Sequence, residues 1–291
     1  TEIYTLSLHD ALPISPFFRA WGMKGSYPGI LDDPATGQEA RKLHRDALKM
    51  LERIKAEKLI QTRAVLGFFP AASEGDDLLL FHDENRSELL RRLFFLRQQA
   101  EKKEGNPNRC LADFIAPMQS GIRDYIGLFA VTAEIRKNAL PDPDGPGGDA
   151  YEHILLQTLS DRLAEALAER LHEQVRREFW GYAPEERLSA EELIREAYQG
   201  IRPAPGYPAC PDHTEKKAIF DLLNISGLIG IELTESMAMN PASSICGYYF
   251  SHPESHYFGL GRIGPDQLED YARRKGIPLE EMARWLAPVL A

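Results

Sequence analysis

Cysteine is scarce: the 291 residues hold three, Cys110, Cys210 and Cys246, widely separated and odd in number. A disulfide framework is therefore not expected, and a reducing, cytoplasmic setting is the simpler assignment. Long apolar runs are missing too, since none approaches the ~20 residues that a membrane-spanning helix needs. Positive charge is in deficit: 34 Lys and Arg face 44 Asp and Glu, a formal net charge of −10. Nucleic-acid binding needs a basic face and attachment to an anionic bilayer needs a polybasic cluster, so neither partner is expected. No Ser-His-Asp, Cys-His or acid–base carboxylate arrangement is recognisable, and no internal repeat.

What is present is ordinary for a globular chain, with 43% hydrophobic and 27% charged residues. The length suits one large domain or two small ones. Residues 1–15 have neither a basic start nor a continuous apolar core, so they do not read as a signal peptide. They read as a non-native leader, such as translated adapter sequence, which leaves 16–291 as the folded domain.

Hydrophobic spacing predicts an amphipathic helix over 37–58, with Ala40, Leu43, Ala47, Leu51 and Ile54 on one face. A strand over 63–69 is expected to end at Pro70, with a hairpin partner over 77–81. Residues 89–100 read as helix and 125–132 as a buried strand. Residues 141–149 read as loop. The longest helix is expected over 151–179, where Leu155, Leu159, Leu163, Leu167, Leu171 and Val175 recur every four residues. Ser189 and Glu192 form a capping box for a helix that stops at Gly200. A short helix follows over 214–223, then strands over 229–239 and 244–251. A strand over 256–263 should pair with the last of these. Two closing helices begin near Pro265 and Pro278, with Gly276 between them. Helices and hairpin-linked strands in blocks, without regular βαβ spacing, give an α+β fold: a twisted antiparallel sheet with flanking helices.

Several local patterns carry chemistry. Gly259-Leu-Gly261-Arg-Ile-Gly264 matches a dinucleotide fingerprint, but the 27 residues after Gly264 are taken by two proline-started helices. No second strand remains for a βαβ unit, so these glycines read as turn punctuation. Cys210-x-x-His213 is half of a metal site at most, because the other cysteines offer no compatible spacing. Asp161 and Glu165 share a helix face and on spacing alone read as a solvated acidic stripe. The stretch Gly200-Ile-Arg-Pro-Ala-Pro-Gly-Tyr-Pro-Ala-Cys-Pro211 stands apart, with four prolines and two glycines around Arg202 and Tyr207. Its prolines fix φ and remove donors, so it is a stiff loop that loses little entropy on binding a ligand.

After this loop come His213-Thr-Glu-Lys216, Leu233-Thr-Glu-Ser-Met-Ala-Met239, Gly247-Tyr-Tyr-Phe-Ser-His-Pro253, Asp270-Tyr-Ala-Arg-Arg-Lys-Gly276 and Arg284-Trp-Leu-Ala-Pro288. Before it come Phe17-Phe18, Gly75-Asp-Asp77, Cys110-Leu-Ala-Asp-Phe114, Asp124-Tyr-Ile-Gly127 and Phe179-Trp-Gly-Tyr-Ala-Pro184. In this order, from about residue 16 to the C-terminus, the chain closely resembles the activation domain of cobalamin-dependent methionine synthase.

The resemblance implies a domain that binds S-adenosylmethionine and supports reductive remethylation of cob(II)alamin in methionine biosynthesis. It implies methyltransferase activity for the full-length enzyme and none for the isolated chain. The pattern Asp-x-His-x-x-Gly that anchors cobalamin does not occur, so the corrinoid belongs to a separate module, and zinc to another. The partners implied are that cobalamin-binding domain and a flavodoxin-type electron donor. The ligand residues implied are Glu165, Arg202, Ala204, Gly206, Tyr207, Tyr257 and Phe258. Arg202 would take the ligand carboxylate as a bidentate pair, Gly206 would allow close backbone approach, and the tyrosines would supply ring faces. Glu165 would offset the sulfonium and ammonium charges. Phe258 stands where family members can carry Tyr, which removes a hydroxyl. A ligand-binding Asp three residues before Pro16-Phe17-Phe18 is replaced by Pro13. The alternative is a stand-alone, non-catalytic reactivation subunit for a separate corrinoid protein; a self-sufficient methyltransferase would need its own base or metal.

Overall fold

A computed structural model describes residues 14–103 and 105–291; Pro13 lies outside them. The chain divides into two compact units. One holds residues up to 64 with 131–173 and 238–245, the other 65–130, 174–237 and 246–291.

The first unit is built around three helices. Helix α1 (Ile14–Ala20) buries Phe17 and Phe18. Helix α2 (Gly37–Glu57) buries Ala40, Leu43, Ala47, Met50 and Ile54. The expected stripe is therefore present, except that Leu51 is half-buried and Met50 takes the inward place. Lys58 ends α2 in the left-handed region at φ 54°, its N–H returning to Ile54 O. Helix α3 (Ala150–Gln174) turns Leu155, Leu159, Leu163, Leu167 and Leu171 inward. Leu155, Leu156, Leu159 and Leu163 share one core with Phe18, Leu43 and Met50. Helix α3 gives way to a π turn at Val175–Phe179.

Strands β1 (Ile60–Glu74), β2 (Asp77–Phe81), β3 (Leu89–Phe94), β4 (Asp124–Ile135) and, after two short strands β5 (Glu232–Leu233) and β6 (Met239–Asn240), β7 (Ser244–Tyr249) complete the β structure. The five longer strands lie in the order β3-β2-β1-β4-β7. Strand β1 turns directly into β2, with Glu74 opposite Asp77 and Gly75 at φ 62° in the turn. The remaining helices are α4 (Ala190–Ile194), α5 (Lys216–Leu223), α6 (Ile225–Ile229), α7 (Pro265–Lys275) and α8 (Leu279–Leu286). Helices α7 and α8 pack Leu268, Tyr271, Met282 and Leu286 with Leu96, Leu260 and Ile263. Antiparallel pairing with flanking helices meets the α+β expectation.

Five local expectations are corrected. Strand β1 runs through Pro70 instead of ending there; on the β2 side its pairing starts one residue later, at Ala71, so the missing Pro70 N–H costs no bond to β2. Residues 89–94 form a strand, not a helix: every residue of β2 is buried, and β3 supplies the partner for its second edge. Tertiary pairing here outweighs an ambiguous apolar pattern. The helix capped by Ser189 stops at Ile194, well short of Gly200, and Glu196 at φ 56° turns the chain away. Residues 225–229 are helical, with Gly230 at φ 68° as the cap, so only fragments of the strand expected over 229–239 exist. Residues 256–263 form no strand beside β7, because the proline loop occupies that edge.

Candidate functional site

The edge of β7 is an unusual place for a proline-rich loop. Ile201 and Phe250 exchange two backbone hydrogen bonds of 3.0 Å, and Tyr248 N–H donates to Pro203 O at 2.9 Å. A proline has no N–H to offer but keeps its carbonyl, so the loop can accept from an edge strand at Pro203 without needing a donor there. Two glycines permit the approach. A Cβ at Gly247 would stand 2.6 Å from Pro203 O and 3.3 Å from Ala204 Cα. Gly200 has φ 86°, and a Cβ there would meet Phe250 O at 2.6 Å. Gly247→Val is therefore expected to push the loop off β7 and to destabilise the protein by about 1–3 kcal/mol, as overpacking does. A lowered denaturation midpoint together with faster proteolysis near residue 205 would show it.

Within the loop, Gly206 N–H donates to Cys210 O at 2.7 Å, Tyr207 N–H to Ala204 O at 3.1 Å and Cys210 N–H to Tyr207 O at 2.9 Å. These three bonds close a tight turn over Ala204–Cys210 that lifts Tyr207 into solvent, 56% exposed. Gly206, at φ 97°, lies against the His213 ring, and any Cβ would collide with it.

A buried ionic cluster fixes the far end of the loop. Lys275 Nζ, near the end of α7, reaches Asp212 Oδ2 at 2.5 Å, Thr214 Oγ1 at 2.6 Å and Glu215 Oε1 at 2.6 Å. Tyr271 Oη donates to Asp212 Oδ2 at 2.9 Å, and Phe94 N–H donates to Glu215 Oε2 at 3.1 Å. Asp212 and Lys275 are nearly inaccessible, at 1% and 6% side-chain exposure. Burial alone would raise the Asp212 carboxyl, but the charge and hydrogen bond of Lys275, with those of Thr214, hold it below the usual range. For Glu215 burial wins over the same lysine and the carboxyl is pushed up.

The residues implied by the resemblance are distributed as follows. Arg202 is half-buried, and its N–H donates to Tyr257 Oη at 2.9 Å. Ala204 is buried, and Gly206 and Tyr207 are exposed on the turn. Phe258 is half-buried, its ring centroid 6.4 Å from Phe114. All these residues belong to the second unit and gather on the loop and the segment after β7. Tyr257 therefore has a role that spacing did not suggest: its hydroxyl holds the loop backbone at the arginine. Glu165 lies on α3 in the first unit, half-buried, and makes no hydrogen bond or ion pair among the described residues. Its neighbour one turn back differs. Asp161 accepts from Ser243 Oγ at 2.5 Å and from Gln157 Nε2 at 3.2 Å, so the pair is not a solvated stripe. Cys210 is buried and its thiol is pushed well above the ordinary range by burial, which makes it a poor thiolate ligand.

Sequence reasoning missed His213 as a support for the loop. Burial and the nearby charge of Lys216 lower its pKa below 6.5, against an opposing effect of Asp212. A group with a depressed folded pKa binds protons less well in the native state, so stability falls as pH drops through 6.5 and below. His213→Gln is expected to flatten the dependence of the unfolding midpoint on pH between 7 and 5; an unchanged slope would contradict this assignment.

The antiparallel sheet, its flanking helices and the loop along β7 define an α+β fold. The family described as vitamin B12 dependent methionine synthase, activation domain, matches residues 6–276. The chain belongs to that family, in keeping with the resemblance read from its motifs. It is also similar to a solved structure described as the crystal structure of the MetH reactivation domain bound to AdoHcy. The two are 52% identical with a TM-score of 0.92, over 97% of this chain and 87% of that chain. The family places the chain in a methyltransferase, the methionine synthase of methionine biosynthesis. Among the described residues no helix is long and apolar enough to cross a membrane.

Proposed function

We propose that the loop along β7 binds S-adenosylmethionine and presents it for reductive remethylation of a corrinoid carried by the cobalamin-binding domain of the same enzyme. The observation that carries this reading is the loop itself: a half-buried arginine and an exposed tyrosine on a turn closed by three backbone hydrogen bonds. The donor set fits the ligand. The Arg202 guanidinium suits the carboxylate of the methionine moiety, and the Tyr207 and Tyr257 rings suit its cation or adenine. Gly206 offers an exposed backbone whose Cβ side is filled by the His213 ring, Ala204 is a buried part of the same loop, and Phe258 adds half-buried apolar surface. Glu165, a half-buried carboxylate of the first unit, is a separate proposal that rests on the resemblance and is tested on its own by Glu165→Gln. The MetH reactivation domain similar to this chain is described as bound to AdoHcy, the demethylated form of the same ligand, which supports the reading.

The corrinoid, when docked, supplies the nucleophile; this chain's residues bind and orient the methyl donor. A flavodoxin-type protein is the proposed electron donor, and the cytoplasm the proposed compartment. No turnover is expected from the isolated chain. The test is reconstitution with a separately purified cobalamin-binding domain in its oxidised, inactive form, a reductant and S-adenosylmethionine. The corrinoid spectrum should move to that of the methylated cofactor only when this chain is added. An equal change without the chain would contradict the proposal.

A further inference from the structure

The guanidinium proposed to take the ligand carboxylate rests on a second tyrosine that no motif singled out. Arg202 Nη1 donates to Tyr198 Oη at 3.1 Å, and its Cζ lies 5.9 Å from the Tyr198 ring centroid. A second arginine covers the same ring: Arg176 Cζ is 4.4 Å from the centroid. Arg176 is fully buried and grips Glu186 with Nε–Oε1 at 2.9 Å, Nε–Oε2 at 3.0 Å and Nη2–Oε1 at 2.7 Å. That pair cancels its own charge, so Arg176 can stack on Tyr198 with less repulsion of Arg202.

The local backbone is shaped for this stack. Arg176 sits in the π turn at the end of α3, where Trp180 N–H returns to Val175 O at 3.0 Å. Ala183 N–H donates to Arg176 O at 2.8 Å, fixing the chain just before Glu186. Such π turns are rare and occur often at functional sites. A buried ion pair is weak evidence for stability, because desolvation offsets much of its attraction; its best use is to specify one arrangement.

We propose that Tyr198 is a positioning residue that sets the Arg202 guanidinium for a carboxylate, and that the buried Arg176–Glu186 pair holds Tyr198 for that task. With Tyr257 fixing the backbone of Arg202 and Tyr198 its side chain, the arginine meets its ligand with less rotamer freedom to lose. The inference rests on the ligand assignment above and deepens it.

The test compares S-adenosylmethionine with its decarboxylated analogue, which keeps the sulfonium, the amine and the adenosine. Tyr198→Phe retains the ring over Arg176 and removes only the hydroxyl. It is expected to weaken S-adenosylmethionine about tenfold, the size of one hydrogen bond to a charged group, and to change the analogue by less than about twofold. In an Arg202→Ala background the same substitution should have no further effect. Equal losses for both ligands would reduce Tyr198 to a structural residue and overturn the proposal, as would no loss at all. A wild-type chain that binds neither ligand would overturn the ligand assignment and this inference with it. A wild-type chain that binds both, with Tyr198→Phe unchanged, would overturn this inference alone.

Discussion

Replacing Lys275 with methionine is expected to destabilise the second unit by about 3–5 kcal/mol, the cost of removing one partner from a buried ionic group. Asp212 and Glu215 would then face each other without a cation, at 1% and 4% side-chain exposure. Tyr271, Thr214 and the Phe94 N–H could not supply the missing charge. The loss should be largest near neutral pH. Asp212 has a depressed folded pKa, so its contribution is present above the usual value of 3.8 and disappears as pH falls through the lower folded value. Lys275 behaves in the opposite sense: burial lowers its pKa, but Glu215 and Asp212 outweigh that and raise it. Its contribution is full below 10.5 and is lost as pH rises through the folded value. Glu215, pushed up by burial, opposes folding while ionised, and protonation relieves that cost as pH falls through its raised value. Urea unfolding followed by tryptophan fluorescence at pH 7 reads the predicted loss. A loss below about 1 kcal/mol, the level typical of exposed ion pairs, would contradict the assignment.

The second large effect falls on binding. Arg202→Ala should weaken S-adenosylmethionine at least about 100-fold, because the bidentate pair of charge-assisted hydrogen bonds proposed for the ligand carboxylate would be removed. Arg202→Lys keeps the charge but not the planar fork, nor its geometry against Tyr198, and should recover only part of the loss. The fold should survive both changes, since the loop is held by backbone bonds from Ile201, Pro203 and Tyr248. Equilibrium dialysis with labelled ligand measures all three proteins. Matching affinities for Arg202→Ala and wild type would remove the arginine from the site.

Much of this was legible in the chain. The apolar stripes of α2 and α3, the hairpin joining β1 and β2, and the proline starts of α7 and α8 follow from local spacing and turn chemistry alone. Two of the errors share a cause: residues 89–94 and 256–263 have weak local signals and are decided by long-range partners, since β2 recruits the first as a strand and the proline loop displaces the second from the edge of β7. The site was half visible. Arg202, Gly206 and Tyr207 sit together in one loop and announce themselves through proline and glycine. Tyr198, Arg176 and Glu186 carry no motif, and His213 stands in one that gives no hint of its packing against Gly206. Arg176 enters through a π turn that the four-residue leucine repeat of α3 conceals, because the repeat runs on through Val175 without a visible break.

In isolation, this chain should bind S-adenosylmethionine through that loop. Isothermal titration of the purified protein tests it directly. Saturable binding at one ligand per chain is expected, and its loss in Arg202→Ala under the same conditions. No heat from the wild-type protein at millimolar S-adenosylmethionine would contradict it.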